Sequence, residues 1–298
     1  MSADVFFSII TPTYNRAGFI KDMIVNILQQ EFRHFELIIV DDGSTDNTTE
    51  VVQSVTDKRI KYFKKENGER GAARNYGAEK ASGQYLIFFD SDDVMYPQHL
   101  SRAAAYIQEQ NFPEVTYNPY EIINKATGAK KTIWETPDRL KEKLAVNNFL
   151  ACNSVIIRKE IFEQFKFVEN RKLATAEDKE LWLRIAARYP FHFNPRVTFA
   201  IIEHESRSLN TIMPEKIEER THVLIKSLKA DAVFLEAFGR LAGFIFGFEY
   251  VLAALCHAGS NKRKAWQYLC LAAKESPGVL KTKRFWAAFK NMLLSARA

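Results

Sequence analysis

Cysteine is scarce in this 298-residue chain. Cys152, Cys256 and Cys270 are far apart and form no C-x-x-C pair, so neither a disulfide framework nor a zinc knuckle is indicated, and a reducing compartment is the simplest setting. No secretory leader is expected, because Met1-Ser2-Ala3-Asp4 lacks a basic segment and the apolar run after it stops by Thr11. Long hydrophobic runs are also rare. The one long run, residues 233–256, contains Glu236, Arg240 and Glu249. Each of these costs roughly 2.5–3.5 kcal/mol at a bilayer centre, so a buried helix is expected there and not a membrane span. There is no internal repeat or low-complexity segment, and a hydrophobic content of 47% excludes a disordered chain.

Charge is unevenly spread. The chain carries 42 Lys and Arg against 36 Asp and Glu. Residues 257–298 hold nine of the bases and a single acid, Glu275, for a net +8, which leaves residues 1–256 at −2. A general nucleic-acid-binding body is not what this balance predicts. The basic character belongs to the tail.

The first hundred residues alternate strand and helix signals. Val5-Phe6-Phe7-Ser8-Ile9-Ile10, Leu37-Ile38-Ile39-Val40, residues 60–63 and Tyr85-Leu86-Ile87-Phe88-Phe89 are short apolar runs that read as buried strands. Between them, Ile20, Met23, Ile24, Ile27 and Leu28 fall at helical spacing, Val51 and Val52 mark a second helix, and residues 72–81 a third. This alternation implies an α/β fold with a mainly parallel sheet and ligands at the carboxyl ends of its strands. Further on the pattern loosens, with strands near 115–120 and 155–157 and a helix over 176–189. Beyond Pro214 nearly everything reads as helix.

Carboxylates collect at the strand ends. Asp90, Asp92 and Asp93 follow the fourth strand around Ser91, and acids so close repel one another unless a cation compensates. Hard oxygen ligands on a loop suit Mg²⁺ or Mn²⁺, although a solvated turn with Asp90 or Asp93 capping the next helix has the same sequence. Asp42, in Asp41-Asp42-Gly43-Ser44-Thr45-Asp46, can accept a hydrogen bond from a base N–H or a ribose hydroxyl while its neighbours shape a turn. Arg70 and Arg74 stand four apart near the third helix, a spacing suited to phosphate. Thr175-Ala176-Glu177-Asp178 reads either as a capping box or as an acid able to take a proton from a hydroxyl. His204 lies in a polar loop, open between an unliganded histidine and a metal or diphosphate contact.

Five of these segments in this order resemble a family 2 glycosyltransferase: Thr11-Pro12-Thr13-Tyr14-Asn15, Val40 to Asp46, Asn75 to Gly77 after Ala73-Arg74, Phe89 to Asp93, and Glu177-Asp178. The likeness covers residues 4–210 and implies the GT-A fold, a Rossmann-like three-layer α/β/α arrangement around one continuous sheet. It implies a catalytic domain over 1–212, with a nucleotide-binding half at 1–110 and an acceptor half at 111–212, followed by a helical region at 213–298. By the same resemblance Thr11, Pro12, Thr13 and Tyr14 lie against base and ribose, with Asp42 on the base and Arg74, joined by Arg70, near the base or diphosphate. Asp90-Ser91-Asp92 corresponds to the D-x-D motif, in which Asp92 holds a divalent ion with Asp90, Asp93 or His204 as further candidates. Asp178, with Glu177 beside it, matches the general base. The activity implied is metal-dependent, inverting hexosyl transfer from a nucleotide-diphosphate sugar, UDP being favoured, to a glycan or lipid-linked hydroxyl in surface polysaccharide assembly.

Two other functions are compatible with parts of the pattern. A nucleotidyltransferase would carry a Gly- and Arg/Lys-rich phosphate loop after the first strand, where this chain has only Arg16 and Gly18. A silent nucleotide-sugar-binding scaffold would be expected to lack some of the acids, and all are present. At the end of the chain Phe285, Trp286, Phe289, Met292 and Leu293 form a helical stripe flanked by Lys283, Arg284 and Lys290. Residues 279–298 are thus expected either to lie in a membrane interface or to pack on the rest of the chain. The expected location is the cytoplasm, and the first alternative would add association with the inner face of the cytoplasmic membrane.

Overall fold

A computed structural model describes residues 5–205 and 213–294. In chain order the first elements are β1 (Phe7–Thr13), α1 (Ala17–Leu28), β2 (Phe35–Asp41), α2 (Thr48–Gln53), β3 (Ile60–Lys64), α3 (Glu69–Lys80) and β4 (Tyr85–Phe88). Next come β5 (Val94–Met95), α4 (His99–Glu109), β6 (Val115–Tyr117), β7 (Tyr120–Asn124), β8 (Lys130–Ile133), α5 (Leu140–Val146), β9 (Val155–Arg158), α6 (Lys159–Phe165), α7 (Glu177–Ala186), β10 (His192–Phe193) and β11 (Phe199–Glu203). Helices α8 (Pro214–Lys229), α9 (Ala232–Phe238), α10 (Arg240–His257), α11 (Lys262–Glu275) and α12 (Lys283–Leu294) complete the chain.

These elements form two compact units, and the chain passes between them more than once. The first holds the described parts of 1–138, 149–171 and 189–207, and the second those of 139–148, 172–188 and 208–298. The sequence suggested a single break at 212, a position outside the described residues. Instead α5 and α7 belong to the unit of the C-terminal helices, α5 packing on α10 and α7 on α8.

The first unit is built on a seven-stranded sheet of order β10-β6-β9-β4-β1-β2-β3. β1 pairs in parallel with both β2 and β4, and β2 with β3. β9 alone runs antiparallel, wedged between β4 and β6. Alternate residues of the central strands serve opposite faces, as pleating requires. Phe7, Ile9, Leu37, Ile39 and Ile87 join the buried residues of α1 and α4, while Ile10 and Val40 face α3. Helices therefore cover both faces, which is why these strands read as unbroken apolar runs. The expectation of one continuous sheet is corrected: β5, β11, β7 and β8 form a separate four-stranded sheet in the same unit.

Two buried details hold the strand ends in place. Gly77 lets α3 lie close on the sheet, since a Cβ there would come within 2.5 Å of Ile10 Cγ2 and 3.1 Å of Val40 Cγ2. At the opposite end, buried Glu36 accepts from Ser8 Oγ at 2.6 Å and from the Ser82 N–H at 2.5 Å, and it pairs with Lys61. Burial alone would push the Glu36 carboxyl up, but Lys61 and these hydrogen bonds outweigh it and hold it below the usual carboxylate range.

The second unit is all helix among the described residues. α10 is long and apolar enough to cross a membrane, yet 61% of that stretch is buried among its neighbours. Its Glu249 is buried and paired with Lys179 of α7 and, at 3.8 Å, with Arg220 of α8. α12 turns Phe285, Ala288 and Met292 inward.

Two outcomes are expected. Gly77→Ala gains about 1 kcal/mol of helix propensity but incurs about 1–3 kcal/mol of overpacking against β-branched neighbours, so its urea midpoint falls. A folded-state pKa below the unfolded one makes the Glu36 contribution fully present above the unfolded value and lost as pH falls through the folded one. Glu36→Gln should therefore be less stable than wild type at neutral pH, with a gap that narrows below about pH 4.5 when melting is followed against pH.

Candidate active site

The carboxyl ends of β1, β2 and β4 converge with the loop that leads from β3 into α3, and their side chains lock that convergence. Asn15, at φ 51°, donates its N–H to Ser44 Oγ at 2.9 Å and accepts at Oδ1 from the Thr45 N–H at 2.8 Å, so the β1 and β2 loops are stitched together. Thr11 and Thr13 are thereby fixed and buried, and Tyr14 is exposed. Thr13 Oγ1 is buried with no hydrogen-bond partner among the described residues. Pro12 between them is partly buried.

Each acid of the cluster is compensated differently. Asp41 accepts from the Ser44 N–H and the Tyr62 hydroxyl, both at 2.7 Å. Burial and this carboxylate push the Tyr62 hydroxyl up to about 12, so it stays a donor at neutral pH. Asp42 Oδ1 takes both the Gly68 N–H and Lys65 Nζ at 2.9 Å, while no hydrogen bond reaches its second oxygen among the described residues. A cleft of about 680 Å³, lined by Lys65, Asn67, Gly68, Tyr76 and Arg171, opens against these partners. Arg70 is partly buried near the start of α3. Arg74, 2% exposed, gives NH2 to Asp90 Oδ1 at 2.8 Å, and its guanidinium lies over the Phe167 ring. The sequence suggested that the two arginines share a phosphate-facing side; the structure instead buries Arg74 against Asp90.

The three acids of the D-x-D loop diverge. Ser91 is buried. Asp93 is buried and both of its oxygens are engaged: Oδ1 accepts from the Ile202 N–H at 2.8 Å and Oδ2 from Asn153 Nδ2 at 2.6 Å. Asp93 thus anchors β11 and the turn before β9, a structural role beside the one expected of a metal ligand. Asn153 Oδ1 also accepts from the Asp90 N–H at 3.1 Å. Asp92 faces His204, with Nε2 3.0 Å from Oδ2, and lies 3.9 Å from Arg16. The His204 ring stacks on Phe19 at 5.1 Å.

Glu177 and Asp178 open α7 in the second unit, Glu177 buried and Asp178 partly so. Asp178 Oδ2 accepts from Asn148 Nδ2 at 3.3 Å, and Oδ1 from the Lys179 N–H at 2.7 Å. The capping box does not form. Ala176 is the N-cap, and Thr175 stands at φ 74° with its Oγ1 accepting from Arg220.

Asn153, Lys65 and Phe19 are not singled out by the sequence as parts of the site, and Asn15 is marked only as the end of the first motif. Lys65 carried one usable signal, its place just past the third strand beside the second. Asn153 carried none, since only the antiparallel insertion of β9 brings it to Asp90 and Asp93.

Among the described residues, no group of three or more His, Cys, Asp or Glu side chains could hold a metal ion unaided. A pair fits, however. Adjacent ligands of an octahedral Mg²⁺ or Mn²⁺ at about 2.1 Å stand about 3.0 Å apart, which is the separation of Asp92 Oδ2 and His204 Nε2. Such ions take their remaining ligands from phosphate and water.

The model of the family described as glycosyl transferase family 2 matches residues 8–165, more than half of the chain, and the chain belongs to that family. An uncharacterized glycosyltransferase of Rickettsia conorii is 33% identical over 202 residues, which cover 64% of this chain and 33% of that protein. This chain thus spans about a third of that relative's length. The Escherichia coli UDP-Glc:alpha-D-GlcNAc-diphosphoundecaprenol beta-1,3-glucosyltransferase WfgD is 33% identical over 184 residues, 61% of this chain and 70% of that one. Among solved structures, S. aureus TarS 1-349 in complex with UDP-GlcNAc superposes with a TM-score of 0.70 at 20% identity, covering 98% of this chain and 89% of that one. The mannosyltransferase PcManGT from Pyrobaculum calidifontis, in complex with GDP-Man and Mn2+, gives 0.57 at 18% identity over 99% and 86%. The fold is therefore the GT-A fold of these glycosyltransferases.

The acids should separate on substitution. Asp93→Ala strands two buried donors and should cost at least about 3 kcal/mol of stability. Asp92→Ala should stay within about 1 kcal/mol of wild type. Denaturant unfolding of both variants checks the division.

Proposed function

We propose that this family 2 glycosyltransferase moves a hexose from a UDP-sugar to a hydroxyl of a glycan or lipid-linked acceptor, with inversion, at the cytoplasmic side of the membrane where surface polysaccharide is assembled. The observation that carries this reading is the division of roles among the D-x-D acids: Asp90 is held by Arg74 and Asp93 by Asn153 and Ile202, while Asp92 faces an imidazole at metal-ligand spacing. The UDP-sugar named for the Escherichia coli relative, its diphosphoundecaprenol acceptor, and the UDP-GlcNAc complex of TarS support the choice of donor and acceptor class.

Asp92 and His204 would hold a Mn²⁺ or Mg²⁺ ion, as the Mn2+ in PcManGT supports. When bound, such an ion acts as a Lewis acid that offsets charge on the departing diphosphate. The open oxygen of Asp42 accepts from the base or ribose, and the unpartnered Thr13 hydroxyl and exposed Tyr14 supply further contacts on the nucleotide. Arg70 reaches toward the diphosphate, while Arg74 keeps Asp90 compensated.

On the acceptor side Asp178 removes the proton from the attacking hydroxyl. Asn148 and the α7 backbone hold its carboxylate in one orientation, and Glu177 adds negative charge beside it. The attacking oxygen approaches the anomeric carbon from the face opposite the diphosphate. One displacement inverts that centre without a covalent intermediate, so no cysteine or serine nucleophile is needed.

A panel of nucleotide sugars with Mn²⁺ and a lipid-diphosphate sugar acceptor tests this, with UDP release as the readout. Asp178→Asn should lower kcat by about 10²–10⁴-fold with little change in donor KM. Asp92→Ala should abolish the Mn²⁺-dependent rise in melting temperature that the donor produces in wild type. Turnover that survives Asp178→Asn would remove the base from the mechanism. Absence of turnover, with donor binding that Asp92→Ala leaves intact, would point to a nucleotide-sugar-binding scaffold.

A further inference from the structure

The stripe expected on the terminal helix divides when the helices pack. Phe285 and Met292 turn inward with Ala288, whereas Trp286 is 55% and Leu293 56% exposed. Phe289 lies between these faces, and its ring touches both Trp286, at 5.8 Å, and Trp266 of α11, at 6.3 Å. Trp266 is itself 52% exposed. Two helices thus present one outward aromatic patch, and the Trp286 ring is fixed in it by an Nε1–H bond to the Leu280 carbonyl at 2.8 Å.

Its surroundings are cationic. Lys262 and Arg263 precede Trp266 by one helical turn and Lys290 follows Trp286 by one, so each stands on the side of the helix that carries the ring. All three are exposed and carry no ion pair among the described residues. The one acid of the last 42 residues, Glu275, is already paired with Lys229 at 2.5 Å, and Lys264 is taken by Glu218 at 2.8 Å. The local positive charge is therefore unopposed. Exposed tryptophans beside unpaired lysines match the chemistry of the bilayer interface, where indoles sit at headgroup depth and cations meet anionic lipid.

We infer that the joint face of α11 and α12, centred on Trp266, Trp286 and Phe289 and rimmed by Lys262, Arg263 and Lys290, is a preformed docking surface for an anionic lipid bilayer. It acts as a shallow interfacial anchor built from two packed helices. A lone helix folding onto the membrane would need Phe285 and Met292, which are committed inside. This inference does not depend on the proposed transfer reaction.

Flotation of the full chain with vesicles of equal parts phosphatidylglycerol and phosphatidylcholine, compared with phosphatidylcholine alone, tests it. Wild type should float with the anionic vesicles and stay behind with the neutral ones. K262E/R263E/K290E should weaken binding by about a hundredfold, and W266A/W286A by about tenfold or more. Charge reversal leaves the rings in place, so it tests lipid binding even if the tryptophan variant melts early. No flotation of wild type, or variants that float as well as wild type, would overturn the inference. So would a wild-type dimer that W266A/W286A makes monomeric without any lipid binding, since the patch would then belong to a second copy.

Discussion

Everything at the centre of this molecule depends on keeping five carboxylates together at the ends of β2 and β4, the two strands that flank β1. Like charges at that spacing repel, and burial raises the cost. The chain meets the constraint with a different partner for each acid. Asp41 is surrounded by hydroxyl and backbone donors, Asp42 by an ammonium and a backbone N–H, Asp90 by a guanidinium, and Asp93 by an amide and a backbone N–H. Asp92 faces an imidazole, a group that can exchange a hydrogen bond for a metal bond.

That arrangement explains features of the fold that look arbitrary by themselves. Inserting β9 antiparallel beside β4 places the turn at Cys152–Ser154 next to that loop, and Asn153 there binds the Asp90 N–H and the Asp93 carboxylate at once. The second sheet is tied in by the same acid, through the Ile202 N–H of β11. His204 follows on that strand's exit, so the Asp93 bond to β11 also helps to position the imidazole opposite Asp92.

Much of this order was legible in the residues. Buried parallel strands announce themselves as continuous apolar runs, and β1, β2 and β4 stand where those runs are. The strand-end acids and their likeness to family 2 glycosyltransferases followed from local spacing. What was illegible required tertiary pairing. Arg74 reads as a phosphate ligand, and nothing in its spacing shows that its guanidinium also pairs with Asp90 at 2.8 Å. Asp93 is indistinguishable from Asp92 until Asn153 and Ile202 arrive from more than fifty residues off. Thr175 has the sequence of a helix cap, yet a left-handed backbone and Arg220 take its hydroxyl elsewhere. In the tail, periodicity identified an apolar stripe, but not that packing would bury Phe285 and Met292 and recruit Trp266 from another helix.

The buried knot of Glu249, Lys179 and Arg220 also determines where the chain can be divided. α7 sits in the middle of the sequence, and the carboxylate that neutralises its Lys179 comes from α10, seventy residues later. A fragment ending with the last strand would contain every strand-end acid and the Glu177-Asp178 pair. It would also contain an inward-facing ammonium stripped of its counter-charge, and the helix that displays Asp178 would have no interior to fold against. A cut after the last strand therefore falls within the second unit, which joins the helix carrying Glu177 and Asp178 to C-terminal helices that carry none of the recognisable motifs.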